Sequence, residues 1–175
     1  MLDLVQRALQ AGFTHAGSLD PQNIELREDV RAMCAENRCG KFGKNWSCPP
    51  ACGSLEEWKG QLSGYSCGIL VQTVAWLEDT FDVGTMMQAE KDHKERFTRF
   101  YQVLRRQYPH VLALGAGCCT VCESCTCPDA PCRFPEKRQI SMEACGMLVD
   151  QVLKNNGMQY YYGKNTISYT SCYLL

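Results

Sequence analysis

The sequence predicts an α/β fold, a two-layer or three-layer sandwich with a central sheet of about four to five strands and cysteine-rich loops. Two observations predict it. Segments with apolar residues at helical spacing follow segments with the pattern of β-strands along most of the chain. The cysteines gather in two stretches that have neither pattern. Helices and strands that follow one another in this way pack as layers around one sheet.

The first half of the chain contributes two strands and two helices to this prediction, besides a helical turn. Leu2 to Leu9 has helical spacing and Gly12 closes it, and a short strand follows to Leu19. Ser54 and Glu57 form a capping box that begins a helix. The predicted elements are a helix over 2–9, a strand over 13–19, a helical turn over 28–34, a helix from 54 to about 62 and a strand over 69–77.

The second half begins with the longest predicted helix, whose apolar residues recur every three or four positions until Pro109. Ser141 is the predicted N-cap of the last helix and Gly157 its end. Three aromatic residues, a Gly-Lys-Asn turn and an alternating run predict a final hairpin. The predicted elements are a helix over 86–108, a strand over 111–114, a helix from 141 to 157 and a hairpin over 159–173.

Length and composition predict one α/β domain over residues 1–175 and exclude several classes of protein. The chain has 18 basic and 19 acidic side chains, a net charge of -1 that provides no field for nucleic acid. The longest apolar run, Ile69 to Leu77, is far shorter than the roughly 20 residues of a membrane span. Polar residues at Asp3, Gln6 and Arg7 interrupt any secretion signal. We therefore expect a cytoplasmic protein with no nucleic-acid or membrane partner.

The 13 cysteines are the unusual feature of the composition. Ten of them lie in two segments, 34–52 and 118–132. An odd number of cysteines cannot pair completely within one chain, and disulfide scaffolds are shorter, secreted proteins. In a reducing compartment this density favours metal binding.

The second segment has the spacing of an iron–sulfur site. Cys119, Cys122 and Cys125 place three thiolates within seven residues, as a [4Fe-4S] cubane requires of one loop. Cys132 is the natural fourth ligand. Cys127, which precedes a proline, is an alternative to Cys125 or Cys132, because the chain lacks the fourth cysteine of the ferredoxin run. A structural zinc site is the alternative interpretation, although such sites prefer two separated C-x2-C pairs.

The first segment is less regular and contains glycines and prolines that suit a chain wrapped around an inorganic centre. Its spacing predicts a metal site but does not separate an iron–sulfur cluster from zinc. Its four cysteines are Cys34, Cys39, Cys48 and Cys52.

Two long stretches of the chain resemble a bacterial and archaeal family of predicted metal-binding proteins of unknown function. They read RAMCAENRCGKFGKNWSCPPACGS and CTVCESCTCPDAPCRFPEKRQISMEACGM. The resemblance covers nearly the whole chain and implies no activity. The CPP segment also resembles, more weakly, iron–sulfur reductases that serve corrinoid enzymes. The family resemblance implies two ligand sets, Cys34, Cys39, Cys48 and Cys52, and Cys119, Cys122, Cys125 and Cys132.

The remaining cysteines and one histidine have structural interpretations. Cys67, Cys145 and Cys172 are predicted core thiols, and His93, on the apolar stripe of the long helix, a core histidine. Cys118 is predicted to point away from its neighbouring ligand.

The function that follows is an iron–sulfur protein with two [4Fe-4S] clusters that transfers single electrons to a redox partner protein. Two alternatives stay open: a cluster-dependent reductase or activator of a corrinoid-type enzyme, and a zinc-stabilised interaction module. The sequence identifies no catalytic residue.

Overall fold

The computed structural model describes residues 1–175, in which five helices and five strands follow one another. Three short 3-10 turns, at 21–23, 135–137 and 143–145, connect some of them. The helices and strands in chain order are α1 (Leu2–Gln10), β1 (His15–Leu19), α2 (Glu28–Ala35), α3 (Leu55–Leu62), β2 (Gly68–Trp76), α4 (Val83–Gln107), β3 (Leu112–Gly115), β4 (Ile140–Ser141), α5 (Val149–Asn155) and β5 (Thr166–Leu174).

The five strands form one open sheet in the order β1-β2-β5-β3-β4. β2 and β5 are the longest strands and pair antiparallel over their whole length, from Gly68 opposite Leu174 to Trp76 opposite Thr166. β1 is antiparallel to β2, and β3 is antiparallel to β5. Only β4 runs parallel to its neighbour β3. The predicted α/β fold with a sheet of about four to five strands is confirmed.

Helices cover both faces of the sheet, which gives three layers. Ile69 and Val71 of β2 pack on one face against α1 and α4, and Leu70 packs on the other against α3 and α5. Successive side chains of a strand point to opposite faces, so a central strand must be apolar in a continuous run. The two hydrophobic cores therefore lie on either side of the same strands.

Most predicted elements agree with the structure to within a few residues. The capping box is present, since Ser54 accepts a hydrogen bond from the Glu57 amide while the Glu57 carboxylate accepts one from the Ser54 amide. α4 buries one stripe of side chains: Ala89, His93, Phe97, Phe100 and Leu104. No helix is long and apolar enough to cross a membrane.

Two predicted elements near the C-terminus are wrong. Ser141 lies in β4, and its hydroxyl accepts a hydrogen bond from the Ala144 amide of a 3-10 turn. That turn ends at Gly146, at φ +93°, and the helix begins only at Val149. Of the predicted hairpin over 159–173, only the second half forms a strand, β5, and residues 159–165 are irregular. β5 pairs with β2 and β3, and these long-range partners displace the local pairing that the turn at 163–165 indicates.

Candidate metal centre

Both cysteine segments run mainly through irregular loops, and these loops contact each other. The first leaves α2, whose last turn carries Cys34, and ends at α3. The second connects β3 to β4. Irregular backbone leaves amide groups free to turn toward a ligand, which helices and strands do not.

Two buried polar side chains hold the segments together. The Asn45 side-chain amide donates to the Cys119 carbonyl oxygen at 3.1 Å, and the Cys119 amide donates to the Ser47 hydroxyl at 3.0 Å. The Ser47 hydroxyl and amide both donate to Asn45 Oδ1. Asn45 is 5% exposed and Ser47 is fully buried. Because an unpaired polar group is costly in such a place, these hydrogen bonds fix how the loops dock.

Further contacts between the loops surround this pair. The Trp46 indole donates to the Ala130 carbonyl oxygen at 3.0 Å, and the Cys127 thiol donates to the Gly43 carbonyl oxygen at 3.6 Å. Arg138 donates to the Trp46 carbonyl oxygen at 3.3 Å. The two segments form one continuous structure.

The cysteines of the first segment lie at different depths. Cys48 and Cys52 are buried, Cys34 is half-buried, and Cys39 is exposed. Arg31 of α2 donates to Cys52 Sγ at 3.6 Å and to two backbone carbonyl oxygens, at 2.6 and 2.9 Å. A guanidinium in this position offsets the negative charge of a Cys52 thiolate.

Burial governs the pKa values of the two buried thiols of the first segment. Burial raises the pKa of Cys48 to about 11, and the Ser47 hydroxyl opposes this shift. Burial also raises the pKa of Cys52, against the charge of Arg31. The charges of Cys118, Cys39 and Cys52 also act to raise the pKa of Cys48.

The thiols of the second segment line a cavity of about 520 Å³. Lys41 and Lys44 of the first segment and Arg138 also line it, facing two carboxylates, Glu123 and Asp129. Cations at its wall suit a centre that several thiolates make negative. Its cysteines are Cys118, Cys119, Cys122, Cys125, Cys127 and Cys132.

The cysteine side chains of the two segments have the donor chemistry and the location of a thiolate-bound metal site, although their sulfur atoms do not converge on one point. All 13 cysteines are free thiols. No group of three or more Cys, His, Asp or Glu side chains is arranged so that it could hold a metal ion as it stands. Cysteine thiolates are the ligands of zinc and of iron–sulfur clusters, and both kinds of site order their loops when they form.

The structure gives three residues of this region a place that the sequence did not indicate. Cys118 was predicted to point away from its neighbouring ligand, but it lines the same cavity as Cys119, whose amide donates to Ser47 beside Cys48. Asn45 and Ser47 hold Cys119 across 74 and 72 residues of chain. Their proximity to Cys48 in sequence was the only local signal.

The cysteines outside the two segments are structural, as predicted for two of them. Cys145 and Cys172 are fully buried in the core shared with α3 and α5. Cys67 precedes β2, is half-buried, and its thiol donates to the Leu175 carbonyl oxygen at 3.9 Å. His93 is a satisfied core residue, since its two ring nitrogens pair with Thr73 Oγ1 and Ser171 Oγ.

Comparison with known proteins gives one match. A family model described as "Predicted metal-binding protein (DUF2284)" matches residues 17–175, which include both cysteine segments. No curated protein and no solved structure matches the chain.

Proposed function

The chain belongs to this family of predicted metal-binding proteins, and from that premise we propose that it binds two [4Fe-4S] clusters and transfers single electrons to a redox partner protein. One cluster is assigned to Cys34, Cys39, Cys48 and Cys52. The other is assigned to Cys119, Cys122, Cys125 and Cys132. A [4Fe-4S] cluster supplies a one-electron couple when it is bound.

The observation that carries the proposal is the cavity of about 520 Å³ whose wall holds six thiols. A zinc ion needs four ligands at about 2.0–2.3 Å, which close around a single atom. A cavity of this size suits a centre of several atoms. The three closely spaced thiols Cys119, Cys122 and Cys125 have the pattern of a loop that holds three corners of a cubane.

Docking of the segments supports transfer between the two centres. Asn45 and Ser47 hold the second segment at the backbone of Cys119, and Cys48 follows Ser47 directly. Ligands of both sets are therefore neighbours, and rigid, buried hydrogen bonds keep them so.

The proposed partner surface is the rim of the cysteine-lined cavity. Lys41 and Lys44 are both exposed there. Lysines on a rim attract an acidic surface and speed its association. A partner whose contact face is acidic fits this chain best.

Metal analysis of the protein purified without oxygen is the direct test. We expect about eight iron atoms and about eight acid-labile sulfides per chain. Iron and sulfide at about four each would limit the chain to one cluster. Zinc without sulfide would refute electron transfer and favour a metal-stabilised binding module.

Single-cysteine variants test the ligand assignment. Cys122→Ser is expected to lower iron and sulfide, while the control Cys67→Ser, outside both segments, leaves them unchanged. Cys127→Ser distinguishes the alternative ligand: a loss of iron in this variant, with none in Cys132→Ser, would replace Cys132 in the set. Unchanged iron in Cys122→Ser would show that this assignment is wrong.

A further inference from the structure

A cavity at the edge of the sheet adjoins the cysteine-lined one, with which it shares Val121 and Arg138. Its volume is about 910 Å³. It forms because β4 has only two residues, which pair with Leu114 and Gly115 and leave Leu112 and Ala113 of β3 with a strand on one side only. Side chains of α3 and α4 enclose the space beside this open edge.

The floor of the cavity is apolar and partly aromatic. Trp58 of α3 and Phe97 and Tyr101 of α4 line it, together with Leu112. Small-molecule sites are cavities of about 300–1,000 Å³ with mostly apolar walls and a few polar groups that orient the ligand. This cavity has the size and the walls of such a site.

Polar groups without partners in the chain face the same space. The Tyr101 hydroxyl, the side-chain amides of Gln61 and Gln102, and the Arg105 guanidinium line the cavity, and none appears among the side-chain hydrogen bonds or ion pairs. Tyr101 and Arg105 are one helical turn apart and share a face of α4. Their hydrogen-bonding capacity is free for a ligand.

The charge of the lining favours an anion. Three cations, Arg105, Lys137 and Arg138, line the cavity, against the carboxylates of Glu57 and Glu136. Arg138 also donates to the Trp46 carbonyl oxygen and Lys137 lies over the Phe134 ring, so Arg105 is the cation that has no other partner in the chain. The Glu57 carboxylate is already engaged, because it accepts hydrogen bonds from its own helix cap at 2.7 and 3.0 Å. Cationic groups beside free hydrogen-bond donors are the usual recognition of a carboxylate.

We propose that this cavity binds a small organic anion with a planar, apolar body. The body lies against Trp58, Phe97 and Tyr101, and the anionic group meets Arg105 at the rim. The cavity also touches Cys52 and Val121, one residue from each cysteine segment, so the ligand lies beside the proposed metal centres. This binding activity goes beyond electron transfer and does not depend on which metal the chain holds.

The test uses a matched pair of probes, 2-naphthoate and its uncharged amide, with the protein as purified. We expect saturable binding of naphthoate with a dissociation constant below about 1 mM, and weaker binding of the amide. Backbone amide shifts in two-dimensional NMR are expected to change at Gln102 and Ala113. Metal content is measured on the same sample, so that failure of the metal assignment is seen separately.

Two variants and a control complete the test. Arg105→Gln is expected to weaken naphthoate binding about tenfold, and Gln102→Trp to weaken it by filling the cavity from an exposed helical position. Arg106→Gln, the adjacent arginine outside the cavity, is the control. No saturable binding, equal binding of the two probes, or binding that Arg105→Gln and Gln102→Trp leave unchanged would overturn the proposal.

Discussion

Replacing Ser47 with alanine is expected to lower the free energy of unfolding by about 1–3 kcal/mol, because the variant leaves a part-buried backbone donor without its partner. The Ser47 hydroxyl is fully buried and accepts the hydrogen bond of the Cys119 amide at 3.0 Å. Alanine offers no acceptor there, so the Cys119 amide loses its partner at a cost of about 1–3 kcal/mol. Asn45 Oδ1 also loses one of the two hydrogen bonds that it accepts from Ser47, which adds a smaller cost.

Asn45→Asp separates the contact between the loops from the contact within one loop. The carboxylate oxygen can still accept from the Ser47 amide and hydroxyl. The side-chain nitrogen that donates to the Cys119 carbonyl is replaced by an oxygen, and the two oxygens repel each other. We expect Asn45→Asp to lower the free energy of unfolding by at least about 2 kcal/mol. The double variant with Ser47→Ala is expected to lose less than the sum of the two single changes.

Urea unfolding under argon measures both changes, and the rate of metal release to a chelator measures their effect on the centres. Faster release is expected in both variants. Asn155→Asp is the control, since this exposed amide also donates to a backbone carbonyl, at 3.2 Å. If Ser47→Ala stays within about 0.5 kcal/mol of the unmodified protein, the docking of the loops does not depend on these hydrogen bonds.

Three further predictions concern the fold around the site. Burial lowers the pKa of His93 to about 3, so the unfolded chain binds more protons between that pH and about 6.5. Stability therefore falls as the pH falls through this window, by about 2 kcal/mol from pH 7 to pH 5 at this residue, and His93→Gln is expected to remove that part of the slope in urea unfolding. Gly146→Ala is expected to lower the melting temperature, because its backbone is at φ +93° and a Cβ would meet Leu55. Arg31→Gln is expected to lower the free energy of unfolding by about 1–3 kcal/mol, because two backbone carbonyls lose their donor.

Each of these predictions has a control in the chain. His110→Gln makes the same substitution at an exposed histidine and is the control; a His93→Gln variant with the pH slope of the unmodified protein would contradict the assignment. Gly157→Ala has φ +72° with open space around it, so it should cost less than Gly146→Ala, and an equal cost would exclude the clash. Arg133→Gln removes one exposed arginine that donates to a single carbonyl, and it should cost less than Arg31→Gln.

The elements that the sequence predicted well depend on local chemistry. The capping box at Ser54, the long apolar stripe of α4 and the continuous apolar run of β2 are visible within a few residues of chain. The failures have long-range causes. β5 has two neighbouring strands from distant parts of the chain, and Gly146 lies at a positive φ against Arg27 and Leu55, which precede it by about a hundred residues.

The metal ligands follow the same division. Cysteine spacing by itself determined that the two segments are candidate metal sites, since ligands from one loop must be close in sequence. Only the tertiary structure decided that the segments dock on each other, that Cys119 lies against Ser47, the residue before Cys48, and that another cavity opens at the edge of β3. Asn45 reaches Cys119 across 74 residues, and no local pattern encodes such a pair, because only the packing of the whole fold brings the two loops together.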